Sequence, residues 1–375
     1  MTTPRPQEVA NEALWVDLCG PEDRAEQARL FNAVFKKHVD AAALKWRYDT
    51  SPHGSSVSLL ARPPGADGAR TEGICGYACS PRVFVPSGKL DRAAPVGETG
   101  DVMTHPDWRR RGIFSMLDER CMEETARRGW PCVFGLPNRH SADIFLGLGW
   151  ERIGTIRHWT HVLRADDAAR AERLREGRLA AWCVSLAARK AARARQALAE
   201  RAGGRHDVAP IDRFPSECAD LFNEVAGRYA LIVRRRPEDL DWRFIDNPSG
   251  LHRAFAVRLA GALRGYVVVQ VPRPGERKGF LVDLLAADDS AAAAGILAGL
   301  EALEAAGASV VQAHAVDRSP WQRELARAGF LPPKADNHLI VILYVHDPEH
   351  PVTRAARDAS TWWVTDGDRD DETVG

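Results

Sequence analysis

Apolar residues recur at helical spacing through residues 22–48, with Leu30, Phe31, Val34 and Phe35 on one face and a further turn opening at Ala41–Leu44. Beyond that the period shortens. Val57–Ala61, Ile74–Cys79 and Val83–Val85 read as strands, the first two parted by a loop of turn formers (PPGADGARTEG) and the last ended by Pro86. A strand then runs from Gly97 toward Thr104, and a helix from about Gly112 to Arg128. Pro131–Leu136 is a short buried strand, Ser141–Leu148 a helix, and Trp150–Val162 one or two more strands. From Asp166 to Arg201 the chain is rich in Ala, Arg, Leu and Glu and carries no strand signal, which predicts a long, solvated connecting helix. GGRHDVAP marks its end.

The second half repeats the first. Leu30-Phe31-Asn32-Ala33-Val34 returns as Leu221-Phe222-Asn223-Glu224-Val225, and Leu44-Lys45-Trp46-Arg47-Tyr48 as Leu240-Asp241-Trp242-Arg243-Phe244. Each of the latter is followed by Pro-x-Gly, Pro52 to Gly54 and Pro248 to Gly250. Gly76-Tyr77 returns as Gly265-Tyr266, and Gly149-Trp150 as Gly329-Phe330. A period this long describes two copies of a domain, not a solenoid. The expected organisation is a first domain over 1–163, a helical connector over 164–204, a second domain over 205–347 and a tail over 348–375.

The copies differ at one turn. In the first, the stretch GETGDVMTHPDWRRRGIFSML (Gly97–Leu117) is a strand, an arginine-rich turn and a helix start. Unpartnered helix-start amides, the helix dipole and three guanidinium groups favour a bound anion there, most plausibly a phosphate. In the second copy FLVDLLA (Phe280–Ala286) is followed by Asp288 and Asp289, which would cap the helix and repel an anion. Only the first copy keeps the site.

Composition narrows the function class. The formal net charge is zero, which argues against a general nucleic-acid or anionic-membrane binder. The seven cysteines form no CxxC pair and no zinc-spaced cluster, so reduced, mostly buried thiols are expected. The N-terminus has no apolar signal region and no run approaches the length that spans a bilayer, so a soluble cytoplasmic protein is expected. Asp366, Asp368 and Asp370 alternate as in a metal loop, but without an EF-hand glutamate, and read as a packed or solvated tail; no metal is expected.

Strand, Arg109-Arg110-Arg111-Gly112-Ile113-Phe114 turn, helix, a strand ending near Asn138 and a closing Leu148-Gly149-Trp150: this order resembles the GNAT acyltransferase superfamily, here as a tandem protein over roughly residues 12–345 with a degenerate second copy. The resemblance implies two α/β domains, each a mixed, mostly antiparallel sheet flanked by helices. It also implies acetyl-CoA or another acyl-CoA as co-substrate. The turn amides from Arg110 through Gly112, Ile113 and Phe114 to Ser115 would wrap the pyrophosphate, with Arg109 and Asn138 beside it. Val102, Met103 and Thr104 would bond the pantetheine amides. Phe114 departs from the small residue usual there and must turn its side chain into the core.

The resemblance further implies N-acyl transfer to a small-molecule amine held between the two domains. Such transfer needs a base for the ammonium, donors for the oxyanion and, in many cases, an acid for the thiolate. Against the family pattern, Pro106 places Glu98 at the position of the usual base, and Asp101 is the alternative. Asp101 has a counterpart in Asp283, which favours a structural role. The tyrosine that often serves as acid is Phe145 here; His140 and Ser141 are possible substitutes. Two other readings stay open: a non-catalytic acyl-CoA sensor or scaffold, and an aminoacyl-tRNA-dependent transferase. Trp46 and Trp242 are read as core or interface anchors, and Arg47 and Arg243 as ion-pair partners. The oligomeric state is not legible.

Overall fold

The computed structural model describes residues 7–9, 12–35, 38–65, 69, 71–164, 205–332 and 338–370, with a few helical residues between 183 and 194. Most of the expected connector lies outside the described residues. In the first copy the strands are β1 (Gln7–Val9), β2 (Glu12–Leu18), β3 (Val57–Arg62), β4 (Cys75–Pro86), β5 (Ala94–Thr104), β6 (Cys132–Gly135) and β7 (Glu151–Val162). Its helices are α1 (Arg24–Phe35), α2 (Ala41–Asp49), α3 (Ile113–Arg127) and α4 (Arg139–Gly147). The second copy follows with β8 (His206–Ile211), α5 (Glu217–Val225), β9 (Leu231–Val233) and α6 (Pro237–Leu240), the last continued by a π-helical turn at Asp241–Ile245. Then come β10 (His252–Leu259), β11 (Ala262–Gln270), β12 (Lys278–Ala286), α7 (Asp289–Ala305), β13 (Val310–Val316), α8 (Pro320–Arg327) and β14 (His338–Val345). A terminal segment adds α9 (Pro351–Ala356) and β15 (Trp362–Trp363).

One sheet runs through both copies in the order β1-β2-β3-β4-β5-β6-β14-β7-β13-β12-β11-β10-β8. The closing strands are exchanged: β14 of the second copy pairs with β6 of the first, and β7 of the first pairs with β13 of the second. The two exchanged strands meet at the centre, antiparallel, so the repeat seen in the sequence becomes a pseudo-twofold in the sheet. Neither copy's sheet is complete without the other's last strand.

Trp46 and Trp242 stack across this pseudo-twofold with ring centroids 5.0 Å apart. Each indole N–H donates to the other's backbone carbonyl, Trp46 to Trp242 at 3.1 Å and Trp242 to Trp46 at 3.3 Å. They are interface anchors, which is why both copies keep them.

The sequence reading splits β4 at Ser80–Arg82, because a serine and an arginine interrupt its apolar run. The strand is continuous and both residues are buried: Ser80 Oγ lies 3.0 Å from Ser56 Oγ, and Arg82 faces the terminal segment. The described cysteines form no disulfide, and all but Cys183 are buried. No helix among the described residues is long and apolar enough to cross a membrane.

Candidate active site

β5 pairs in parallel with β6 only from Gly97 to Thr99, and Gly100–Thr104 then run on without that neighbour. A bulge follows just beyond the departure. On the other side β5 pairs Met103 with Gly76 and Gly100 with Ala78, so Asp101 and Val102 together face the single residue Tyr77. Asp101 sits there with φ at +48°, an unusual left-handed conformation for a residue with a side chain. β12 parts from β13 in the same way after Phe280, with its own bulge opposite Val268 and Val269. The opening is therefore a property of the fold, and what differs is the turn that follows.

In the first copy that turn is shaped for close approach. Gly112 caps α3 with φ at +78° and nothing beyond its backbone, and Arg110 precedes it at φ +63°. The helix begins with Met116 N–H donating to the Gly112 carbonyl at 3.2 Å, so the amides of Ile113, Phe114 and Ser115 precede the first bond of the helical ladder. The flanking arginines brace the turn: Arg109 Nε donates to Thr104 O and Arg111 Nη2 to Asp107 O, both at 3.2 Å, with the Arg111 guanidinium 4.5 Å over the Trp108 ring. Phe114 turns inward, as its size requires, edge-on to Phe145 at 5.0 Å and 6.3 Å from the Tyr77 ring. The amides ahead of the helical ladder, the left-handed glycine and the guanidinium groups fit a pyrophosphate. In the second copy Asp288 Oδ1 accepts the Ala291 N–H at 2.9 Å and caps α7, so that end is already satisfied by a carboxylate.

The other expected binding residues are spread around the opening. Val102 packs on the α3 side of the sheet, Met103 is buried on the α1 side, and Thr104 Oγ1 lies 3.1 Å from Cys75 Sγ. Asn138 caps α4, its Oδ1 accepting the N–H groups of His140 (2.9 Å) and Ser141 (3.1 Å). His140 is exposed at that helix start, and no hydrogen bond or ion pair among the described residues joins its ring to either candidate base. Phe145 is buried against Phe114 and Trp150, closing the tyrosine position with an aromatic floor.

Glu98 and Asp101 both face α2 and the junction of the copies. Asp101 Oδ2 accepts from Arg47 Nη1 and from the Tyr48 hydroxyl, each at 2.5 Å, and its side chain keeps 14 % exposure. Glu98 is buried. Its Oε1 accepts the Asp370 N–H at 3.1 Å, while Oε2 lies 3.3 Å from Arg82 Nη2 without the geometry of a hydrogen bond. Burial, with the neighbouring Asp370 carboxylate adding to it, pushes the Glu98 carboxyl up to about 8.

Sequence reasoning missed what surrounds Glu98. The terminal residues Thr365–Asp370 are buried as a strap between the copies. Asp366 accepts from the His314 N–H at 2.8 Å and pairs with Arg369 at 2.9 Å. Asp368 pairs with Arg235 at 2.8 Å, and Asp370 with Arg82. The alternating acids answer cationic or N–H groups, and among the described residues no set of three His, Cys, Asp or Glu is placed to hold a metal ion. The cavity left at this junction, lined by Arg82, Arg235, Trp242, Arg243, Asp283 and Asp368 among others, measures about 20 Å³, room for no more than about one water. The available signals were the duplicated Arg47 and Arg243 and the evenly spaced aspartates after two tryptophans.

No family model and no curated protein matches the sequence. Solved structures do match the fold. A GCN5-related N-acetyltransferase from Kribbella flavida aligns over 90% of this chain and 72% of its own, with a TM-score of 0.58 at 15% identity. A tandem GNAT protein from the clavulanic acid biosynthesis pathway aligns over 88% and 98%, at 0.53 and 15%. An N-myristoyltransferase from Saccharomyces cerevisiae, solved with bound myristoyl-CoA, aligns over 96% and 86%, at 0.58 and 13%. The chain thus has the fold of a tandem GNAT protein, with a large, mostly antiparallel sheet flanked by helices.

Proposed function

We propose that the protein is an acyl-CoA-dependent N-acyltransferase, with acetyl-CoA the simplest donor and a small-molecule amine the acceptor. The observation that carries this reading is the contrast between two corresponding openings in one sheet. One ends in the Arg109–Ser115 turn, where no side chain caps the helix start, and the other in an aspartate cap. The solved structures of the same fold include proteins named as N-acetyl- and N-myristoyltransferases, one of them holding an acyl-CoA, which supports the donor class.

The coenzyme would supply an acyl thioester. In the proposed reaction the acceptor ammonium first gives a proton to ionised Glu98 through a water, since the carboxyl itself is buried. The freed amine attacks the thioester carbon, and the backbone N–H of Met103 or a neighbour steadies the oxyanion. The C–S bond then breaks, the thiolate leaves with no tyrosine to protonate it, and the proton that the nitrogen gained in excess on attack passes to solvent; a thiol with an ordinary pKa of about 8.5 departs as its anion. The strap fills the deepest part of the junction, so the acceptor approaches from the side where Asp101 is partly exposed. Asp101, tied to Arg47 and Tyr48, would orient that approach.

Replacing Arg109 and Arg111 together with alanine is expected to weaken acetyl-CoA binding about tenfold or more in calorimetry. Two charge-assisted contacts of about 1.5 kcal/mol each exceed that ratio before solvent screening reduces them. Unchanged affinity would remove the turn as the coenzyme site.

A further inference from the structure

We infer that Asp370 is a positioning residue for Glu98, so that the carboxy-terminal strap and the second copy are working parts of the first copy's site. This rests on Glu98 being the base proposed above. Four consecutive strap carbonyls each accept from an arginine: Gly367 O from Arg243 Nε at 2.6 Å, Asp368 O from Arg82 Nε at 3.2 Å, Arg369 O from Arg243 Nη2, and Asp370 O from Arg47 Nη2 at 3.2 Å. Two of those arginines belong to the first copy and one to the second, so the backbone of the strap is located by both. The last step of this ladder delivers the Asp370 N–H to Glu98 Oε1 and the Asp370 carboxylate to Arg82, the same cation that approaches Glu98 Oε2.

The strap does not leave this place at low cost. Its departure would strip Arg82, Arg235 and Arg243, all buried, of anions or carbonyls, and an uncompensated buried charge costs several kcal/mol. Glu98 therefore works with Asp370 beside it. The charged and titratable groups that face Glu98 are Arg82 and Cys79 from β4, Asp370 from the strap and Arg243 from the π-helical turn. Opposite it on β6 stands Phe134, which is apolar. Arg82 is shared by two carboxylates, and Asp370 makes the closer pair. Asp370 thereby holds Glu98 Oε1 by its amide and, by its charge, favours a proton on Glu98 in the resting protein. The aspartate is held below its ordinary value: burial raises it, but Arg82, Arg47 and Arg243 outweigh that.

The test is the titration of Glu98 itself in the intact chain, read by carbon-13 NMR of protein labelled at the glutamate side-chain carboxyl. The resonance is assigned by its absence in Glu98→Gln. In Asp370→Asn the like charge is gone and Arg82 is free to pair with Glu98, so the midpoint is expected to fall by about one pH unit or more. The acidic limb of kcat/KM moves with it while acetyl-CoA affinity holds. A midpoint that stays put in the folded variant overturns the inference. If Asp370→Asn does not fold, the wild-type midpoint decides: a value in the ordinary carboxylate range overturns it as well. If the midpoint moves but Glu98→Gln acylates amines normally, the base assignment fails while the hold of Asp370 on Glu98 stands.

Discussion

Replacing Arg82 with methionine is expected to destabilise the protein by about 3–5 kcal/mol, the usual cost of leaving one partner of a buried ion pair uncompensated. Arg82 is buried on a central strand. It donates to Pro81 O at 3.1 Å, to Asp368 O at 3.2 Å and to the Asp370 carboxylate, and lies 5.9 Å over the Trp242 ring. Methionine keeps most of the side-chain volume, so the loss reports charge and hydrogen bonding more than packing. Against a total stability of about 5–15 kcal/mol for an ordinary domain this is a large fraction. Denaturant unfolding at neutral pH checks it; a loss below about 1 kcal/mol would mean that the strap is held by its tryptophans and not by its charges.

Glu98→Gln is expected to lower kcat/KM for acyl transfer by about 10²–10⁴, the range that a positioned general base supplies. The wild-type profile should climb with pH along a limb centred near 8, since Glu98 is pushed up to about 8 and must lose its proton to act. The variant should lack that limb, keeping only the rise due to the acceptor amine. The same shift has a stability consequence with a definite sign. Between its ordinary value of 4.5 and about 8, folded Glu98 holds a proton that the unfolded chain has released. This contribution is fully present below the ordinary value and is lost as pH rises through about 8. Asp370, held low, contributes in the opposite sense: its stabilisation is present above the ordinary aspartate range and is lost as pH falls through its folded value. The Glu98 contribution should therefore make wild-type stability decline as pH rises from about 4.5 to about 8, and this decline should be absent in Glu98→Gln. An alkaline activity limb that survives the substitution would contradict the assignment.

Much of this architecture is written in local pattern. The paired segments around Trp46 and Trp242 revealed the duplication because stacking across a pseudo-twofold needs the same residue twice. The Arg109–Phe114 turn was legible because left-handed backbone and helix-start amides require glycine and polar residues at fixed offsets. The strand exchange was not legible: β6 and β13 meet the other copy's closing strand through ordinary apolar positions, and alternation says nothing about which chain segment supplies the neighbour. Asp370 was hidden for a related reason. A run of aspartates near a terminus looks solvated until the arginines that neutralise it, hundreds of residues earlier at Arg47 and Arg82, are placed beside it. The expected match of Asp101 with Asp283 does not hold in the sheet: with Tyr77 set on Tyr266, Asp283 lies opposite Val268, where the first copy has Thr99 opposite Cys79, and the two aspartates have different partners. The first is served by Arg47 and Tyr48 of α2, the second by Arg235, Tyr266 and Thr365.

In the proposed function one copy holds the coenzyme and the other serves as frame. Titrating acetyl-CoA into the intact chain by calorimetry measures that directly. One molecule is expected to bind per chain, with the heat lost or shifted to about tenfold higher concentration when Arg109 and Arg111 are both alanine. Two molecules per chain, or one molecule bound equally well by the double variant, would contradict it.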